Sequence, residues 1–166
     1  LALNPDEYVD TKYFVKNVGD VKKYTDTPVS EELIDSVIEA GLAAASGRNM
    51  QAPVIVAVTN KEIRDRLSLD NAEIMGAKAD PFYGAPCVMV VLAEKTAHTY
   101  VYDGSLSLGN MMLAAHSLGI GSCWVQIHMR KKDGVYAESV VRDIVKIDEH
   151  YRIAGILALG HSDDIP

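Results

Sequence analysis

The run Ala45-Ser46-Gly47-Arg48-Asn49-Met50-Gln51 packs a hydroxyl, a guanidinium and two carboxamides into seven consecutive positions. Gly47 adds a backbone with no side chain, which a ligand can approach closely. Such groups bind a neutral, hydrogen-bonding ring well and do little acid or base chemistry alone. The run separates an apolar helical pattern from a β-branched strand pattern, a junction that a shorter and plainer turn would close. It reads as a loop that holds a ring-shaped cofactor.

Few other residues offer chemistry of their own. His98, His116, His128, His150 and His161 have no metal-ligand spacing with one another or with Cys87 and Cys123. There is no Gly-x-Ser-x-Gly elbow, P-loop or Cys-x-x-Cys. Gly119-Ile120-Gly121 follows a helical pattern and opens a strand, the reverse of a dinucleotide-binding fingerprint. Asp103, before Gly104, reads as a helix cap, and Asp163 and Asp164 as a solvated tail. Reactive chemistry in this chain therefore points to a bound cofactor.

The elements that position the loop follow from periodicity. Ser30 is a helix cap, with Glu31 and Glu32 favourable in the first turn. Leu33, Ile34, Val37, Ile38 and Gly41 then share one face, predicting an amphipathic helix to about Ala44. Val54 to Val58 and Cys87 to Ala93 are continuous apolar runs, expected as strands buried on both faces. Lys61 to Leu69 reads as a short charged helix, followed by a long loop through Gly76, Pro81, Gly84 and Pro86. From Asp103 to Leu118 apolar and small residues point in nearly all directions, so this helix is expected to be buried all round, against its own sheet and against a partner subunit. Ser122 to Ile127, Tyr136 to Val145 and Arg152 to Leu159 read as strand, helix and strand. The order fits α+β better than a regular βαβ series, within a single domain spanning residues 1–166.

Bulk properties narrow the class. A net charge of −7 argues against a nucleic-acid footprint. Two cysteines make no disulfide framework and read as buried, reduced thiols. Leu1 to Tyr8 has no apolar signal-peptide core, and no apolar run reaches membrane-span length. A soluble, cytoplasmic protein is expected.

Three segments carry a resemblance to a known family. Tyr24-Thr25-Asp26 with Pro28-Val29 resembles the lead into the first helix of the flavin-dependent nitroreductases. Ala45 to Gln51 resembles their Pro-Ser-x-x-Asn-x-Gln loop, and Asp103-Gly104 through Ser122-Cys123-Trp124 their central dimer helix and following strand. The resemblance implies a three-layer α+β fold, a central and mostly antiparallel sheet flanked by helices, in an intertwined homodimer with FMN at the interface.

It also implies site residues. Ser46, Gly47 and Asn49 would reach the partner subunit's flavin, with Gln51 supporting the loop and Ala45 and Arg48 completing its cofactor-binding run. Ser122, Cys123 and Trp124 would back the ring, Asn71 would touch its edge, and Lys22 would place charge near N1 and O2. The implied reaction is ping-pong: hydride passes from NAD(P)H through flavin N5 to a nitroaromatic, quinone or similar acceptor, with no catalytic side chain. The chain departs from the family where an Arg-x-Ser-x-Arg/Lys pattern holds the FMN phosphate, offering Val18, Asp20 and Lys22. Lys16 or Lys23 is then expected to supply the charge, or FMN is held more weakly. Those departures carry the alternative, a flavin- or ligand-binding homodimer of the same fold without redox turnover.

Overall fold

The computed structural model describes residues 18–164; the segment Leu1 to Tyr8 and Lys16 lie outside them. Helix α1 spans Glu31–Leu42, and the Ser30 hydroxyl accepts from the Leu33 N–H at 3.4 Å as its cap. Strand β1 (Pro53–Val58) leads to α2 (Lys61–Met75), β2 (Cys87–Glu94) and α3 (Tyr100–Ser117). Then come β3 (Gly121–Val125), a small hairpin of β4 (Lys131–Lys132) and β5 (Val135–Tyr136), α4 (Ala137–Val145) and β6 (Tyr151–Gly160). Four strands form one sheet in the order β1-β2-β6-β3, every neighbouring pair antiparallel. A parallel bridge, Asp20 to Ser122, adds the incoming chain beside β3.

Alternation along β2 explains the three layers. Val88, Val90 and Leu92 face Leu67 of α2 and Val141 and Ile144 of α4. Cys87, Met89 and Val91 face Val37 of α1 and Leu108 and Met111 of α3. A strand with apolar residues on both sides needs helices on both sides, and β2 is buried from Cys87 to Ala93.

Three expectations are corrected. Strand β1 has the same β-branched composition as β2 but lies at the sheet's edge, so Val54 and Ala57 are exposed. Helix α2 runs six residues beyond the expected Leu69, because Asp70 to Met75 contains no breaker and the stop is Gly76, at φ 66°. Asn71 is therefore on a helix and not in a loop. Helix α3 begins at Tyr100 with Thr99 before it, so Asp103 lies within its first turn and does not cap it.

Candidate functional site

The loop from Ser46 to Gln51 is a short 3₁₀ turn, Gly47–Asn49, closed on itself. The Asn49 N–H donates to the Ser46 carbonyl at 3.0 Å, and the Gln51 N–H to the Ser46 hydroxyl at 2.9 Å. Ser46 thus closes the loop, while the side chains of Arg48, Asn49 and Gln51 face outward. Three residues adopt left-handed backbone angles: Arg48 at φ 54°, Asn49 at φ 55° and Gln51 at φ 49°. Each non-glycine residue there costs about 1–2 kcal/mol, somewhat less for Asn, and such strain gathers at binding sites.

Gly47 anchors the loop to α3. Its N–H donates to Asp103 Oδ1 at 2.9 Å, and the Thr99 hydroxyl donates to Asp103 Oδ2 at 2.8 Å. A Cβ on residue 47 would lie 2.2 Å from Thr99 Oγ1, so only glycine fits. Ala45 is exposed at the start of the loop.

Strand β3 divides its residues between the two faces, as a period of two requires. Trp124 packs with the α1–α3 layer, and Ser122 shares its face. Cys123 points the other way, into the α2–α4 layer. Their side chains cannot all back one ring; on that face Cys123 offers only its backbone. Burial, with the Asp20 carboxylate adding to it, pushes the Cys123 thiol up to about 12, and burial alone does the same to Cys87. Neither is a thiolate nucleophile near neutral pH. The Trp124 indole N–H is buried with no hydrogen-bond partner among the described residues. It occupies space left by Gly155, where a Cβ would stand 2.7 Å from Nε1.

At the C-terminal end of α3, Val18, Gly19 and Val21 meet Met112, His116 and Gly119 to Ser122 around a cavity of about 190 Å³. Ser162 and Asp164 complete it, and no lysine or arginine is among these described lining residues. Lys22 and Lys23 are exposed beside it in the chain. Asn71 is buried on α2 with neither amide atom partnered among the described residues. One turn from Leu67, it belongs to the layer across the sheet from Ser122 and Trp124.

Beyond β3, His128 Nδ1 lies 3.2 Å from Glu138 Oε1, and Arg152 Nε donates to Glu138 Oε2 at 2.7 Å. Burial favours the neutral Glu138 carboxyl, but the Arg152 guanidinium, with the Ile153 N–H and His128 adding to it, outweighs burial and holds the carboxyl below its ordinary range. The His128 and Arg152 groups both border the Tyr100 ring at the start of α3.

A family model described as the nitroreductase family matches residues 19–161, nearly all the described chain. The chain belongs to the nitroreductase family. An FMN-dependent nitroreductase from Clostridium difficile R20291 is 29% identical, with a TM-score of 0.83, covering 91% of this chain and 87% of that one. A nitroreductase with bound FMN from Bacteroides fragilis is 25% identical, with a TM-score of 0.77, covering 93% and 89%. An NADPH-flavin oxidoreductase from Vibrio harveyi is 27% identical over 157 residues, covering 88% of this chain and 63% of its own length. The α+β sheet with helices on both faces is the fold these nitroreductases share.

Thr99 and Asp103 shape the loop of this candidate site, and Gly155 makes room for Trp124; the motifs point to none of these roles. Asp103 shapes the loop from 56 residues away, a pairing that spacing cannot reveal. The one sequence signal was Thr99, a good N-cap residue placed four before the Asp-Gly pair. Among the described residues, no helix is long and apolar enough to cross a membrane.

Proposed function

We propose that this nitroreductase-family chain works as a homodimeric, FMN-dependent oxidoreductase. It takes hydride from NAD(P)H and reduces a nitroaromatic, quinone or similar conjugated acceptor. The observation that carries this reading is the separation of the two half-sites. The loop is tied to Asp103, and the Ser122 cavity is lined by His116, thirteen residues further along α3. At ~1.5 Å per helical residue they stand ~20 Å apart in one chain. Along this stretch α3 presents Tyr102, beside the loop's anchor, and then Leu106 and Leu113, exposed by 72%, 51% and 37%. A second copy packed on this stripe about a two-fold axis would bring its loop to the first copy's β3.

The residues at the ring end fit a flavin. Arg48, Asn49 and Gln51 offer outward donors and acceptors to a ring edge, and the half-buried Trp124 gives β3 a flat apolar wall that excludes water. Ser122 and the neighbouring backbone supply further hydrogen bonds. The phosphate end fits less well: the stretch that would hold it offers Val18, Asp20 and Lys22, and the described lining of the cavity beside Val18 has Asp164 but no lysine or arginine. When bound, FMN supplies a two-electron carrier, so the chain needs no nucleophile or acid–base pair. Its residues bind, orient and shield. Asn71 and Lys22 are the two expected contacts for which the fold offers least support.

The lack of a lysine or arginine among the cavity's described lining residues favours the second reading, a flavin- or ligand-binding homodimer of the same fold without redox turnover. Protein mixed with FMN and desalted should keep the flavin's visible absorption, NADPH or NADH should bleach it, and a quinone should restore it. Colourless protein refutes the flavin assignment. Coloured protein that neither nucleotide bleaches establishes the second reading.

A further inference from the structure

Asp103 is 3% exposed, and both carboxylate oxygens are engaged. It lies in the first turn of α3, where the helix dipole favours a negative charge. A carboxylate serving only that dipole would face the open N–H groups of its own turn. Here one oxygen reaches across to the Gly47 N–H, and the Thr99 hydroxyl that holds the other oxygen also fills the space a residue-47 Cβ would need. The next residues, Arg48 and Asn49, are both left-handed, and the loop is exposed beyond them. A strained, exposed turn keeps one shape only where its ends are fixed. The Ser46–Gln51 bond closes the turn, but the bond to Asp103 fixes it to the protein's body.

We propose that Asp103 is a positioning residue that holds the Ser46–Gln51 loop in its ring-binding shape through the Gly47 N–H. The proposal rests on reading that loop as the flavin holder. It also ties flavin affinity to the helix whose outer stripe meets the partner, so the dimer helix and the loop move as one body.

The test uses the purified full chain with FMN, following flavin fluorescence, oligomeric state and amide exchange at Gly47. Asp103→Ala should weaken FMN binding by about tenfold or more, the range expected for a lost charge-assisted hydrogen bond, and should speed Gly47 exchange. Asp103→Asn keeps an acceptor for the Gly47 N–H and an amide that can donate to Thr99 Oγ1. It should stay within about threefold of the original affinity. Unchanged FMN affinity in Asp103→Ala overturns the proposal, as does an equal loss in Asp103→Asn, which would make the charge and not the clamp decisive. Should Asp103→Ala not fold, Gly47→Ala carries the test: the added methyl drives the loop off Thr99 while the core is untouched, and unchanged affinity there also overturns the proposal. If the unaltered chain binds no FMN, the flavin reading falls, and Gly47 exchange alone then decides the clamp.

Discussion

Replacing Glu138 with Gln tests the buried ionic cluster that ties α4 to β6 and to the chain leaving β3. The Glu138 side chain is 2% exposed and accepts from Arg152 Nε at 2.7 Å and Nη2 at 3.2 Å. Its Oε2 also lies 3.4 Å from the Ile153 N–H, and His128 stands at Oε1. Gln keeps the volume but turns a primary amide toward these donors and removes the charge. Breaking a fully buried pair costs about 3–5 kcal/mol. The Arg152 side chain is 34% exposed, so water recovers part of that and about 2–3 kcal/mol remains. For a chain of this size the melting temperature should fall by about 5–10 °C near pH 7. The pH dependence carries a sign. The folded carboxyl titrates below its unfolded value, so its contribution is complete above about pH 4.3 and is lost as pH falls through the folded value. Thermal melts of the two proteins from about pH 7 down to about pH 3 should converge at the acid end. A gap of constant size across that range, or no gap at pH 7, refutes the reasoning.

Other substitutions probe the site and the packing. Val18→Arg puts a cation on the wall of the Ser122 cavity and should tighten FMN by about tenfold while leaving riboflavin unchanged, measured by fluorescence titration of both flavins. Leu106→Glu, on the exposed stripe of α3, should give a monomer by light scattering and abolish FMN retention with it. Gly104→Ala brings a Cβ to 2.3 Å from that of Ala154 on β6, and should destabilise the chain by about 1–3 kcal/mol in urea melts. Gly104→Ala combined with Ala154→Gly should recover most of that loss.

Existence and order of the main elements were legible because their patterns are strong: a 3.6-residue stripe in α1, β-branched runs in β1 and β2, an apolar β6. Edge position was not legible, since nothing in Val54 to Val58 says that, among the described residues, β1 has a neighbour on one side only. Asn71 was misplaced because α2 continues through Asp70 to Met75 on helix-tolerant residues, with Gly76 as the actual stop. The polar loop was found from composition, but its backbone was not: left-handed angles at Arg48, Asn49 and Gln51 are held by contacts distant in sequence, above all Asp103. Sequence alone did hold the signal for Cys123. Alternation in a strand sets it opposite Ser122 and Trp124, and the buried thiol follows.

Two defective alleles of this chain should rescue one another. With the loop and the Ser122 cavity ~20 Å apart along α3, the proposed two-fold assembly would build each site from one chain's loop and the other chain's strand. A chain damaged at Asn49 and a chain damaged at Ser122 are each inactive when paired with themselves. In a mixed pair one site inherits both lesions and the other inherits none. Random pairing of equal amounts makes about half the dimers mixed, so about a quarter of all sites are whole. Damage to both positions in the same copy admits no such complementation with either single mutant, which makes the arrangement readable by genetics alone.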